Sequence, residues 1–95
     1  MSAINIIITR EEGWWLAVGL EHFTAARGET PIQAVRDLEE QLEGQELLDR
    51  SVGQEPFALV PPAPNHYWKL FEAAPMRLVW QSPLYLHTGE LRMTE

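Results

Sequence analysis

The stretch GWWLAVGLEHFTAARGETPIQAVRDLEEQL, residues 13–42, changes its hydrophobic period partway along, from that of a strand to that of a helix. Residues 14–21 alternate, and their more apolar face carries Trp14, Leu16, Val18 and Leu20. Thr30 then suits a helix N-cap, Pro31 suits the first helical position, and Gln33 completes a capping box. The apolar positions that follow at helical spacing are Ile32, Val35, Leu38 and Leu42, with Ala34 beside them. The stretch therefore predicts a strand followed by a well-capped amphipathic helix.

Two further strands are predicted around the first. Residues 3–9, AINIIIT, are short and β-branched, and residues 22–27, HFTAAR, permit a third strand. Gly13 ends the polar turn REEG and is free to adopt a positive φ. We expect an α+β fold in which one main helix packs on an antiparallel three-stranded sheet, in the order β-β-β-α. The helix should cover the face that carries Ile4, Ile6, Ile8, Trp14, Leu16 and Val18.

The second half predicts an irregular, β-rich structure with a possible short helix. The main helix either stops at Gly44 or continues through residues 45–52. The predicted elements after it are a strand at 55–60, a proline break at 61–66, a helix over 66–74 capped by Asn65, strands at 76–80 and 84–87, and a tight turn at 88–89. A length of 95 residues fits a single domain over 1–95, with a core at 3–50 and an extension rich in proline and aromatic residues at 55–95.

The sheet face turned away from the helix would carry Ile7, Trp15 and Phe23. A large apolar patch left in water usually marks an interface. The sequence allows two ways of covering this face. Either the C-terminal half folds over it, or a second copy of the chain packs on it to form a homodimer. The solvent side of the helix adds charged groups. The candidates for a partner or dimer interface are therefore Ile7, Trp15, Phe23, Arg36, Asp37, Glu40 and Glu43.

Charge narrows the class of partner. The chain has 7 basic and 14 acidic side chains and a net charge of −7. This balance argues against direct binding of nucleic acid, because phosphate contacts need clustered Lys and Arg. It favours a basic protein partner, or it serves solubility alone. The N-terminus lacks the pattern of a secretory signal, and no apolar run is long enough to cross a bilayer, so we expect a cytoplasmic protein without a membrane segment.

No motif for catalysis or for a cofactor is visible. The chain has no cysteine, and His22, His66 and His87 do not have the spacing of zinc ligands. The acidic side chains are predicted on turns and on the solvent side of the helix, away from the convergence that metal-dependent hydrolysis needs. We therefore expect no catalytic residue, no metal, no cofactor and no enzymatic activity.

Residues 3–45 resemble the N-terminal domain of HicB-type antitoxins. Gly13-Trp14 looks like the turn that enters the family's second strand, and the run from Gly28 to Ala34, GETPIQA, looks like the start of its helix. The resemblance implies a partial RNase H-like fold without RNase activity, self-association, and masking of a small basic toxin of double-stranded-RNA-binding type. Residues 19–23, GLEHF, replace the family's usual Pro-Asp-like segment. The tail resembles neither of the DNA-binding modules common in the family, so operator binding is not carried over.

The sequence thus favours a non-enzymatic binding or regulatory protein that masks a protein partner. Two alternatives stay open. One is a small acidic phage or mobile-element protein that inhibits a host nucleic-acid-binding complex. The other is a structural protein of an assembly that docks through its aromatic tail.

Overall fold

A computed structural model describes residues 4–81 and 88–94 of the chain. The described elements are β1 (Ile6–Glu11), β2 (Trp14–Gly19), β3 (Thr24–Gly28), α1 (Pro31–Ser51), α2 (Asn65–Ala73), β4 (Met76–Gln81) and β5 (Thr88–Met93). The fold is α+β, as expected, and the β-β-β-α order of its first half is confirmed.

The sheet is larger than expected, and it is mixed. Its five described strands lie in the order β3-β2-β1-β5-β4. All neighbours are antiparallel except β1 and β5, which run parallel. The three expected strands β1, β2 and β3 do pair antiparallel, but the sheet as a whole is not purely antiparallel, because β1 has a second edge whose backbone groups also need partners and β5 supplies them.

Several details of the C-terminal half also differ from the prediction. Residues 55–60 form turns instead of a strand, and Thr88 and Gly89 begin β5 instead of making a tight turn. The strand predicted at 76–80 is confirmed as β4. Helix α2 begins at Asn65 itself, with Pro64 at the N-cap position and no capping side chain. The strand predicted at 84–87 lies outside the described residues.

The turn between β1 and β2 sets which side chains share a face. Only Glu12 and Gly13 separate the two strands, and Gly13 has the positive φ (74°) expected of it. Glu11 therefore pairs with Trp14, and Ile8 pairs with Ala17. Because directly paired residues point to the same side of a sheet, Ile6 and Ile8 share a face with Ala17 and not with Leu16 or Val18. The predicted face of β2 is thus reversed.

Helix α1 covers the first face. The Thr30 Oγ1 atom accepts a hydrogen bond from the Gln33 backbone N–H (3.1 Å), which confirms the predicted N-cap. The Gln33 Oε1 atom accepts a bond from the Glu29 N–H (3.2 Å) and not from the Thr30 N–H that a capping box would use. The helix continues through Gly44 to Ser51. Ile32 is an exception to the predicted apolar stripe, since it is 67% exposed. The buried side chains of this layer are Ile4, Ile6, Ile8, Ala17, Ala26, Ala34, Val35, Leu38, Leu42 and Phe57.

Helix α2 covers the second face, so the C-terminal half does fold over the sheet. Two backbone hydrogen bonds attach the segment before α2 to the end of β2: Ala63 N–H donates to the Leu20 carbonyl (2.8 Å), and Phe23 N–H donates to the Pro61 carbonyl (2.8 Å). The Trp68 Nε1–H donates to the Ala63 carbonyl (3.1 Å). This second layer buries Ile7, Leu16, Val18, Leu20, Ala63, Phe71 and Ala74.

An arginine ties β5 to the end of α2. The Arg92 Nη1 atom donates to the Phe71 carbonyl (2.9 Å), and its guanidinium lies over the Phe71 ring, 4.3 Å from the centroid. A cation suits this position, because the carbonyls at a helix C-terminus carry partial negative charge. The Glu90 carboxylate accepts hydrogen bonds from Arg92 and from Arg77 on β4. These bonds from Arg77 first, and then from Arg92, hold the pKa of Glu90 below its usual value of 4.5.

Candidate interaction surfaces

The apolar interface candidates do not share one open face. Ile7 is completely buried beneath α2, so the expectation that it lies on an open surface is wrong. Trp15 packs, partly buried, against the layer under α1, and the Arg10 guanidinium lies 4.8 Å from its ring centroid. The expectation that Trp15 points away from the main helix is therefore also wrong. The two-residue turn explains the error, because it reverses the face of every residue in β2.

Of Trp14 and Trp15, Trp14 is the one exposed to solvent. It pairs with Glu11 on the second face of the sheet and is 44% exposed. The sequence pattern predicts it in the core, which is wrong. The signal that would have placed it correctly is the length of the turn, since a two-residue connection puts residue 11 opposite residue 14.

Phe23 remains at the surface, as expected. It lies between β2 and β3, is 38% exposed, and its ring centroid is 5.9 Å from that of Tyr67. Its backbone N–H donates to the Pro61 carbonyl, so the main chain at Phe23 is attached to the covering segment.

The charged candidates lie along the solvent side of α1. Arg36 and Glu40 are exposed, and Asp37 and Glu43 are partly buried. Arg36, Glu40, Glu43 and the exposed Leu47 follow one another at helical spacing, and we call these four residues the acidic stripe. Glu40 and Glu43 form no ion pair with any other described residue, whereas Glu46 is paired with Arg50 at 2.9 Å. The exposed Glu40 and the partly buried Glu43 therefore lie at the surface of α1 without an ionic partner among the described residues.

Two acids of α1 do not follow the predicted pattern, because Glu39 and Asp49 are buried. The Asp49 Oδ2 atom accepts a hydrogen bond from the Phe57 N–H (2.7 Å), and its Oδ1 atom accepts one from Gln45 Nε2 (3.0 Å). Asp49 therefore fixes the turn after α1 to the helix. Phe57 has a φ of 64°, which is uncommon for a bulky residue, and its ring stacks on His22 at 4.5 Å.

A groove opens beside this turn, with a volume of about 300 Å³. It lies between the start of β3, the side of α1 next to β3, and the turn at 57–60. Its lining residues are Phe23, Thr24, Gln41, Gln45, Phe57 and Val60. Of these, sequence reasoning singled out only Phe23. The rest were missed because residues 55–60 were predicted as a strand, and a strand there would not close the groove.

Within residues 4–81 and 88–94, no group of three or more His, Cys, Asp or Glu side chains is arranged to hold a metal ion. No helix in this part of the chain is both long enough and apolar enough to cross a membrane. Comparisons of the chain with models of protein families, with curated proteins and with solved structures found no match.

Proposed function

We propose that this chain is a non-enzymatic, HicB-like binding protein of the cytoplasm that acts by covering a basic protein partner. The observation that carries the proposal is the acidic stripe of α1, whose Glu40 and Glu43 lie at the surface without an ionic partner among the described residues. The net charge of −7 gives the whole molecule the same preference. A surface with negative charge favours a partner whose surface carries positive charge.

The element order supports the HicB-like part of the proposal. Residues 3–45 carry the resemblance, and within them β1, β2, β3 and the start of α1 follow one another as it implies. The turn at Gly13 and the helix start at Thr30 lie at the positions that the resemblance assigns to them.

In the proposed mechanism, the negative charge first attracts the basic partner, and the bound chain then blocks the partner's surface sterically. Complementary charge accelerates encounter and fixes orientation more than it adds final affinity. Leu47 is 59% exposed and continues the stripe, so it offers apolar contact area next to the carboxylates. An apolar centre with charges around it is the common anatomy of a protein interface.

Self-association is the second part of the proposal. The face first expected to carry it is covered by α2, so the support now comes from Trp14. Tryptophan is one of the side chains that are enriched among the residues contributing most to binding at interfaces. We assign the homodimer contact to the end of the second face that carries Trp14 beside the β1–β2 turn, and we call it the Trp14 end.

The partner proposal is tested by affinity capture from a native lysate with the tagged chain. We expect a basic protein to be retained at low salt and released as salt rises, since exposed charges are screened. The double variant Glu40→Lys/Glu43→Lys should lose this protein. The matched control is Glu12→Lys/Glu55→Lys, which makes the same change in net charge at two exposed residues outside α1 and should retain it.

Two results would contradict the proposal. One is capture of no basic protein by the parent chain. The other is equal loss from both double variants, because binding would then follow net charge and not the stripe.

A further inference from the structure

The groove lies beside the open edge of the sheet. β3 is the outer strand on this side, and no other described strand pairs with its free edge. A free edge presents backbone N–H and C=O groups that only another extended chain can satisfy in series. The segment that covers the second face reaches the edge at Phe23, whose N–H bonds to Pro61, and the edge is open from Thr24 to Gly28.

Helix α1 runs back along this edge. Gly28, at the end of β3, lies against Ala34 near the start of the helix, while Thr24 shares the groove with Gln41 and Gln45 further along it. Gln41, Gln45 and Leu48 follow at intervals of four and three residues, so they form one side of the helix, and Val52 is the residue directly after the helix end. We call these four residues the groove side of α1. Leu48 is 58% exposed and Val52 is 66% exposed, so the groove side is apolar towards its end.

The groove is also firmly built. Its floor residue Phe57 is held in the left-handed region by the bond from its N–H to the buried Asp49 carboxylate. Local backbone strain of this kind is found preferentially at binding and functional sites. The Phe57 ring, which lines the groove, stacks on His22 with ring centroids 4.5 Å apart.

Charge near the edge indicates what the groove would accept. Asp37 precedes Gln41 by one helical turn, so it lies on the same side of α1 about 6 Å away along the axis. Asp37 makes no ion pair with another described residue. Side chains on one face of a strand repeat every 6.6–6.8 Å or so, close to the spacing of about 6 Å between Asp37 and Gln41 along the helix. A strand paired with β3 would therefore set an apolar side chain in the groove and a basic one beside Asp37, two residues apart.

We propose that this edge and groove bind an extended segment of another protein, which adds a strand to β3 and carries apolar and basic residues alternately on the face towards α1. The inference goes beyond the proposed function, because the groove side of α1 is distinct from the acidic stripe. Gln41 and Gln45 line the groove with amide groups that can bond the backbone of the segment.

The test uses the full-length chain and a synthetic nine-residue peptide, Val-Thr-Lys-Thr-Val-Thr-Lys-Thr-Val. We expect saturable binding with a Kd below about 1 mM. Amide chemical-shift changes should concentrate at residues 23–28 and on the groove side of α1, and the amides of β3 should gain protection from hydrogen exchange. A peptide with Glu in place of each Lys should bind at least about tenfold more weakly, because like charges would meet at Asp37.

Two neighbouring leucines provide a matched pair of variants. Leu48→Lys places a bulky charge on the groove side and should raise the Kd at least about fivefold, which corresponds to about 1 kcal/mol. Leu47→Lys makes the same change at a residue of equal exposure on the acidic stripe and should leave the Kd within about twofold. Both leucines are exposed, so neither variant threatens the fold, and circular dichroism verifies this.

Absence of saturable binding, shifts centred on Trp14, or equal effects of the two leucine variants would each overturn the proposal. So would a dimer of the free chain that is protected at β3 and dissociated by Leu48→Lys, because a second copy would then occupy the edge. These outcomes are separate from those of the partner capture, since Leu48→Lys leaves Glu40 and Glu43 unchanged.

Discussion

Two adjacent tryptophans at the β1–β2 turn have different surroundings. Trp15 packs under α1 and carries the Arg10 guanidinium over its ring, whereas Trp14 is 44% exposed on the other face. Adjacent strand residues point to opposite faces. Substitution of Trp15 therefore tests a role in packing, and substitution of Trp14 tests a role at the surface.

We expect Trp15→Ala to lower the free energy of unfolding by about 2 kcal/mol, since it removes a partly buried ring and leaves a cavity beside the core. Trp14→Ala should cost less than about 1 kcal/mol, as is usual for surface substitutions. Urea denaturation followed by circular dichroism measures both. A larger loss for Trp14→Ala would mean that the faces of β2 have been assigned in the wrong order.

Two glycines provide a second comparison at the scale of the residue. A Cβ on Gly28 would come within 2.5 Å of the Ala34 backbone nitrogen, whereas a Cβ on Gly44 would meet nothing within 4 Å. Gly28 therefore allows β3 and α1 to approach closely, and Gly44 carries no such requirement.

Gly28→Ala should destabilise the chain by about 1–3 kcal/mol, because backbone atoms would have to move apart. Gly44→Ala should stabilise it by about 0.5–1 kcal/mol, since glycine is a poor residue for a helix interior. The midpoints of urea unfolding should shift in opposite directions. A stable Gly28→Ala variant would contradict the close contact between β3 and α1.

At the scale of the element, α1 depends on its first turn. The Thr30 hydroxyl satisfies the Gln33 backbone N–H, which the helix itself leaves unbonded, and the Gln33 amide oxygen accepts from the N–H of Glu29, just before the cap. Pro31 adds a fixed φ at the first helical position.

Thr30→Ala should cost about 1 kcal/mol through the lost cap. Thr30→Ser keeps the hydroxyl and should cost no more than a few tenths of a kcal/mol. Chemical denaturation of the two variants beside the parent measures the difference. If the alanine and serine variants unfold at the same midpoint, the hydroxyl does not contribute to the helix start.

The Glu90 carboxylate connects elements that are remote in sequence. It accepts bonds from Arg77 of β4 and from Arg92 of β5, and Arg92 also bonds the end of α2. These arginines lower the pKa of Glu90, so its charged form is favoured in the folded chain.

A lowered pKa in the folded state gives a contribution to stability that is present above the unfolded value and is lost as pH falls through the folded value. Glu90→Gln should therefore be less stable than the parent near neutral pH, and the difference should shrink below pH 4.5. Glu12→Gln, on an exposed turn, is the control and should follow the parent at every pH. A difference that stays constant into acid would show that the Glu90 charge is not responsible.

At the scale of the whole molecule, each face of the sheet has a covering helix, and this decides which surfaces remain for partners. The first face is covered by α1 and much of the second by α2, so the described part of the sheet offers the Trp14 end and the edges of its two outer strands, β3 and β4. The solvent side of α1 offers the acidic stripe.

If the homodimer forms through the Trp14 end, Trp14→Ala should lower the weight-average molar mass of the chain at a given concentration. Trp15→Ala, which alters the α1 face, should change the mass only as far as it unfolds the chain. Light scattering across a dilution series gives both values. An unchanged mass for Trp14→Ala would refute the Trp14 contact.

The sequence by itself determined the local elements of the first half. Three β-branched or alternating segments, a glycine turn and a capped amphipathic run are each specified by neighbouring residues, and β1, β2, β3 and the start of α1 formed where these signals lie. The charged candidates on α1 were placed on its solvent side for the same reason, because helical period alone decides it.

Only the tertiary structure decided what lies against those elements. The parallel pairing of β5 with β1 and the covering of Ile7 by α2 join segments far apart in the chain, and no local pattern specifies such contacts. The groove likewise needs Phe23, Gln41 and Phe57 to meet across three separate segments. Burial of both sheet faces at once requires the C-terminal half, and the physical reason is that an apolar sheet face left in water is unfavourable until some distant part of the chain covers it.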